Sequence, residues 1–199
     1  MYLIFDTETT GKPRNWIVDF HTPENWPRLV QLAWMRGGAC YAADATSFCH
    51  IVRPDGFEIP PGATAVHGIS QYAALEAGIP LNSAIGAFVR DLQSAEAIVG
   101  HNVDFDVNVI GAEMLRLGFA ETAERLAVLP RLDTMRSSTE LCRLPARSGR
   151  GYKWPTLAEL HRHLFGHEAL GLHDARNDVA VTARCFYELK GRGVFDHKA

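Results

Sequence analysis

Tyr2-Leu3-Ile4-Phe5-Asp6-Thr7-Glu8-Thr9-Thr10-Gly11 decides how this chain is read. Four apolar residues run directly into two acids and then a Thr-Thr-Gly turn. So short an unbroken apolar run fits a central strand covered on both faces. Side chains alternate along a strand, so Asp6 and Glu8 share one side and Thr7 points to the other. Two carboxylates held side by side at the end of a buried strand repel each other. Such a pair is tolerable when a cation bridges it, and oxygen-only ligands suit Mg²⁺ or Mn²⁺. Asp-x-Glu is also a common way to finish a strand, so the remaining chain has to supply the partners.

Outward from this stretch, residues 11–28 form a long polar and aromatic loop that begins directly behind the acids. Long loops in compact domains are functional or mobile. Its Trp16 and Trp26 are read as caps on the core beneath the loop rather than as base-stacking groups. Residues 28–35 read as a second strand ending at Gly37-Gly38, and residues 41–53 hold a third before the turn Pro54-Asp55-Gly56. Short connections among these three predict an antiparallel meander. A turn-rich passage through Val66-His67-Gly68-Ile69 leads into a short helix, where His67 reads as a satisfied turn histidine. Asn82 or Ser83 is the expected cap of a helix carrying Ile85, Phe88, Val89 and Leu92.

Ala97-Ile98-Val99-Gly100 reads as a buried strand that empties into His101-Asn102-Val103-Asp104-Phe105-Asp106, with a helix over residues 107–117. Acids in a first helical turn are favourable through the helix dipole, yet the mouth of a strand-to-helix turn is also where α/β sites gather ligands. Residues 131–135 read as a further strand. The Gly/Pro/Arg-rich segment 143–153 is the one dense basic cluster and reads as a solvated loop that can touch phosphates. Thr156-Leu157-Ala158-Glu159 is a capping box opening a helix to about Phe165, ended by Gly166. His161, His163 and His167 lack the Cys or acid that would complete a tetrahedral zinc set. In the last helix, His173 stands just before the start and Asp178 lies in the first turns, so both look into one cleft.

Composition bounds the partners. The chain has 199 residues with a net charge of -3, so a polyanion must be bound locally or through metal ions rather than by a basic coat. Cys40, Cys49, Cys142 and Cys185 are scattered without a Cys-x-x-Cys pair, which fits a reducing, cytoplasmic setting. No signal peptide and no membrane span are expected. One domain over residues 1–199 is expected, without repeats.

Asp6, Glu8, Asp106, Asp178 and His173 cannot share a small cleft without cations. Two divalent ions roughly 3.5–4 Å apart are the usual solution for in-line phosphoryl displacement. A histidine with an unperturbed pKa of about 6.5 suits removal of a water's proton at neutral pH. At these residues the chain resembles the DEDDh, DnaQ-like 3′–5′ exonucleases, the group of the proofreading subunit of bacterial replicative polymerase. Asp6-Thr7-Glu8-Thr9-Thr10-Gly11 is similar to the first motif, His101 to Asp106 to the second, and His173 with Asp178 to the third. Val66-His67-Gly68-Ile69 is similar to a further element between the first two.

The resemblance implies a ribonuclease H-like α/β fold, a five-stranded mixed sheet flanked by helices. It implies Asp6, Glu8, Asp106 and Asp178 as ligands of two Mg²⁺ or Mn²⁺ ions and His173 as general base. It implies Thr7, Thr9, Thr10, His67, Gly68, Ile69, Asn102 and Phe105 as contacts to the terminal nucleotide. The expected activity is proofreading- or repair-type release of nucleoside 5′-monophosphates from 3′ ends of single-stranded DNA. An exoribonuclease and a non-catalytic polymerase-associated subunit are the alternatives, with a polymerase or a second copy as protein partner. The loops 11–28 and 143–153 are larger than in the leanest relatives.

Overall fold

The computed structural model describes residues 1–41 and 46–196. A five-stranded sheet has the order β3-β2-β1-β4-β5, built from β1 (Tyr2–Thr9), β2 (Leu29–Gly37), β3 (Ser47–Ile51), β4 (Ala97–Gly100) and β5 (Arg131–Asp133). β1, β2 and β3 run antiparallel in sequence, and β4 and β5 join in parallel, so the sheet is mixed as expected. The first four residues expected in the third strand after Tyr41, numbers 42–45, lie outside the described residues.

β1 sits in the middle, and the full burial of Leu3, Ile4 and Phe5 shows why its apolar run is unbroken. Leu3 and Phe5 face one layer, where α3 (Leu81–Leu92), α4 (Val103–Arg116) and α5 (Ala120–Val128) bring Ile85, Phe88, Val107, Ile110 and Leu126. Ile4 faces the other, packed with Val179, Ala183 and Phe186 of α9 (Ala175–Gly191). The same alternation therefore turns Asp6 and Glu8 toward α9 and Thr7 toward α4. β1 pairs with β4 only over Tyr2 to Ile4. The two acids thus stand beyond the carboxyl end of the neighbouring parallel strand, the edge where α/β folds collect functional groups.

Several boundaries differ from the sequence reading. α4 begins at Val103, not at 107, because Asn102 takes a left-handed conformation (φ 71°) and its N–H donates to Asp133 Oδ1. Asp106 is thus the fourth helical residue. α3 begins at Leu81 behind Pro80 without a side-chain cap, so Asn82 and Ser83 lie inside its first turn. The strand expected to reach residue 135 stops at Asp133, whose Oδ1 accepts from the N–H groups of Met135 and Arg136 and starts α6 (Thr134–Ser137). Behind it stands α7 (Thr139–Cys142). Two helices, α1 (Pro61–His67) and α2 (Gln71–Ala77), occupy the passage where one was expected. α5 was not anticipated at all. α8 (Leu157–Phe165) matches its reading: the Thr156–Glu159 capping box is made in both directions and Gly166 ends it with φ 76°.

The loop 11–28 is fastened to α4. Phe20 lies so close to Gly111 that a Cβ there would meet its ring at 2.6 Å, so only glycine admits the loop. Glu113, fully buried on the same helix, accepts from Arg28 Nε and the Leu29 N–H and pairs with Arg116. Trp26 caps the core as expected, 5% exposed, with Nε1 donating to Val18 O. Trp16 does not. It lies against Phe105, ring centroids 5.9 Å apart, yet stays 59% exposed, because the turn it sits on stands outside the packed layer. All four cysteines are free. Among the described residues no helix is long and apolar enough to cross a membrane.

Candidate active site

β1 presents Asp6 and Glu8 to the amino end of α9, and Asp178 enters from that helix. One oxygen from each of the three carboxylates lies within 4.8 Å of the others. The approach is close because the cross-strand neighbour of Asp6 is Ala33 and the first residue of α9 is Ala175, both fully buried and small. Gln31, cross-strand from Glu8, seats the helix: its Oε1 accepts the Ala175 N–H at 3.0 Å. Asp174 caps the same end, its Oδ1 accepting from the N–H groups of Arg176 and Asn177. Asp178 is thus carried into the cleft by a helix fixed at two points.

Asp106 arrives from α4 on the other layer. The N–H and the hydroxyl of Thr7 both donate to its Oδ1, at 3.0 and 2.7 Å. Thr7, which the resemblance implies as a nucleotide contact, therefore uses its buried hydroxyl to aim Asp106. Asp104 turns away and pairs with Arg131 and Arg136, at 2.5 and 2.9 Å.

The electrostatics follow from that crowding. Burial, then the charges of Asp106, Asp178 and Glu8, push the Asp6 carboxyl well above its ordinary range. Burial and the neighbouring Asp178 and Asp174 lift Glu8 to about 7. Burial lifts Asp106 to about 8 against the opposing bonds from Thr7. Asp178 rises to about 6, again mainly through burial, held down in part by the His173 N–H and charge. Without cations these acids keep their protons to higher pH than ordinary carboxylates do. Asp178 Oδ1 is buried with no hydrogen-bond partner among the described residues, an orphaned acceptor aimed into a cleft of acids. An oxygen-only donor set with an unmatched buried oxygen fits hard divalent cations.

His173 stands at the rim with a left-handed backbone (φ 71°) and an exposed side chain. Its N–H donates to Asp178 Oδ2 at 3.2 Å, which ties its position to the third acid while leaving the imidazole without a hydrogen bond among the described residues.

The groups expected around the terminal nucleotide surround this cluster in different ways. Thr9 Oγ1 donates to Gly11 O and Thr10 Oγ1 accepts the Arg28 N–H, so both hydroxyls shape the turn. His67 is buried at the end of α1. Its Nδ1 accepts the Ile69 N–H across the left-handed Gly68, and Nε2 is buried without a partner among the described residues. Burial lowers its pKa, with the Thr9 backbone opposing. Asn102 caps α4 through its backbone, and Phe105 packs between Trp16 and Trp26. Sequence reasoning missed Gln31 and Asp174 as positioning residues. A buried glutamine inside an apolar strand and an Asp at a helix start were the available signals.

Thr7→Val is the sharpest test of the Asp106 tether. It keeps the shape and removes one donor from a buried carboxylate. Oriented supporting bonds of this kind are worth about 10- to 100-fold in metal affinity. Titration with Mn²⁺ followed by thermal shift is expected to show a loss in that range, with a destabilisation of about 1–3 kcal/mol for the bond removed.

The chain is similar to known nucleases. The model of a family described as Exonuclease (RNase_T) matches residues 3–186. No curated protein sequence gives a significant match. Among solved structures, E. coli exonuclease I in complex with a dT13 oligonucleotide superposes with a TM-score of 0.76 at 20% identity. Its complex with a dA16 oligonucleotide gives 0.76 at 21%, and a zinc-bound E. coli ExoI–ssDNA complex gives 0.68 at 22%. Each comparison covers 98% of this chain and 42% of the other, so the chain spans less than half the length of these relatives. At such identity the superposition shows a shared fold, the helix-flanked five-stranded mixed sheet of the ribonuclease H-like type. The family rests on the sequence match over nearly the whole chain: this chain belongs to the exonuclease family.

Proposed function

We propose that the chain is a metal-dependent 3′–5′ exonuclease that releases nucleoside 5′-monophosphates from single-stranded DNA. The observation that carries the reading is the convergence of Asp6, Glu8 and Asp178 within 4.8 Å, with Thr7 aiming Asp106 from the opposite layer. Asp6, Glu8, Asp106 and Asp178 would hold two Mg²⁺ or Mn²⁺ ions. When bound, such ions lower the pKa of a water and neutralise charge developing on the phosphate and the leaving oxygen.

The residues of the chain supply the remaining steps. His173, open to solvent and tethered through its own N–H to Asp178, accepts the proton of the attacking water on its imidazole. The water oxygen bonds to phosphorus, the bond from phosphorus to the 3′ oxygen breaks, and that oxygen takes a proton from solvent. The products are a nucleoside 5′-monophosphate and a strand one residue shorter with a 3′ hydroxyl. The turn at Thr9-Thr10-Gly11 and the His67-Gly68-Ile69 turn wall the place of the terminal nucleotide, with the unpartnered His67 Nε2 as a polar group there. DNA is preferred over RNA on the strength of the oligonucleotides bound by the exonuclease I structures.

A 5′-labelled single-stranded DNA incubated with the protein and Mg²⁺ is expected to shorten as a descending ladder, with nucleoside 5′-monophosphate as the released product. Matched RNA of the same sequence is expected to be cut more slowly. An intact DNA substrate in Mg²⁺ and in Mn²⁺ would falsify the proposal.

A further inference from the structure

The start of α4 walls a cleft of about 570 Å³. Its walls are Trp16, Phe105 and Trp154, and its rim carries Arg131 and Arg136. Trp16 comes from the loop 11–28 and Trp154 from the segment before α8. Each is 59% exposed, an unusual state for an indole that contributes little to the core. Neither sits on slack backbone. The turn bearing Trp16 is locked by Asn15 and Asn25: the Asn15 N–H donates to Asn25 Oδ1, and Asn25 Nδ2 donates to Asn15 O, both at 2.8 Å. Trp154 is held on either side, where the Pro155 carbonyl bonds His101 Nε2 at 3.0 Å and Lys153 pairs with Glu159. The Arg136 guanidinium lies 5.6 Å from the Trp154 ring centre. Asp104 pairs with both Arg131 and Arg136, and Asp133 Oδ2 lies 3.8 Å from Arg136 Nε, so the two rim cations are balanced by two acids while the Arg136 side chain stays about half exposed.

Fixed, open indoles beside an accessible guanidinium suit a single strand: π-faces for unstacked bases and a cation within reach of the backbone between them. Phe105, which walls the cleft, directly precedes Asp106 in α4, so one helix carries both a wall of the cleft and one of the four acids. We propose that Trp16 and Trp154 form a stacking platform for bases upstream of the 3′-terminal nucleotide, selecting unpaired strands without regard to base identity. This rests on the proposed exonuclease reading for its placement along the strand. The platform itself requires only a single-stranded nucleic acid.

The test has two readouts. In EDTA, intrinsic tryptophan fluorescence of the full chain is titrated with oligo(dT) of rising length. The wild type is expected to show quenching and an affinity that improves from dinucleotide to longer strands. Trp154→Ala, and separately Trp16→Ala, are expected to lose about tenfold in affinity for the longer strands, the loss of one stacked base. A blunt duplex is expected to bind worse than the single strand. With Mg²⁺, KM for labelled oligo(dT) is expected to rise by the same factor in the variants, while thymidine 5′-(p-nitrophenyl phosphate), which has no upstream base, is still hydrolysed. Wild-type affinity in both variants, or equal binding of blunt duplex, overturns the platform. Failure of wild-type protein to cleave either substrate while the EDTA titration behaves as expected overturns the exonuclease reading and leaves the platform standing.

Discussion

Asp6→Asn is expected to abolish cleavage and, in the absence of metal, to raise the melting temperature. Asp6 is the most crowded of the acids: burial and three neighbouring carboxylates all push its pKa up. Under the proposed function its oxygen anchors the divalent ions, whose stabilisation of the transition state amounts to several kcal/mol. At about 1.4 kcal/mol per tenfold, turnover falls about a thousandfold or more. The same change removes a carboxyl that, in a cleft with no cation in EDTA, must hold a proton the unfolded chain has released or stay charged against its neighbours. The asparagine amide also offers a donor in the cleft that holds the orphaned Asp178 Oδ1. Relief of repulsion therefore stabilises the apo protein, by about 2–4 °C for each kcal/mol gained at this size. Stopped assays on labelled DNA and thermal melts in EDTA check both halves. A variant that keeps wild-type turnover, or that melts lower in EDTA at pH 8, contradicts this account of the cluster.

This opposition between function and stability explains why the site was readable in the sequence and its supports were not. Asp6 and Glu8 break an otherwise apolar strand, a choice that costs stability and therefore stands out. The alternation of β1 told which way they face, and a helix beginning just behind His173 told that Asp178 lies in its first turns. Alternation also said that Thr7 faces away from the acids, but nothing local could say that it meets Asp106 across 99 residues. Gln31 was hidden for the same reason: its partner is a backbone N–H at the start of α9. The antiparallel pairing of the first three strands was legible from their short connections, whereas the parallel joining of β4 to β1 and of β5 to β4 was not. The overlooked α5 carries no motif, only Ala123 and Leu126 buried on one side of a polar helix. Trp16 and Trp26 flank the same loop with the same residue type, and only tertiary packing separates the capped ring from the open one.

The supports also show how an acidic chain handles a polyanion. Arg28 and Arg116 are engaged by the buried Glu113, and Arg131 and Arg136 by Asp104. Part of the positive charge near the cleft is thus held by internal acids. Under the proposed function, what attracts a phosphate to the reacting end is the metal-loaded cluster more than a basic surface, in keeping with a net charge of -3.

That dependence on metal gives a pH signature with a defined sign. Glu8, Asp106 and Asp178 have pKa values raised to about 7, about 8 and about 6, while in the unfolded chain they titrate near their ordinary value of about 4. Between these limits the folded state binds more protons than the unfolded one. The stability these groups contribute is present in full below about pH 4 and is lost as pH rises through about 6 to 8. The buried histidines work in the opposite direction: burial lowers the pKa of His50, His67, His101 and His161, so the folded state gains as pH rises to about 6.5 and is then indifferent. The acids are therefore seen most cleanly between about pH 7 and 9. In EDTA the melting temperature is expected to fall across that interval. In millimolar Mn²⁺ it is expected to stay level or rise, because the ligands bind only after losing their protons and tight binding adds stability as RT ln(1 + [L]/Kd), about 2.7 kcal/mol at a hundredfold excess over Kd. Differential scanning calorimetry at fixed ionic strength, with and without Mn²⁺, measures the gap between the two curves. A gap that does not widen with pH means that the four acids do not act together as the metal-binding group.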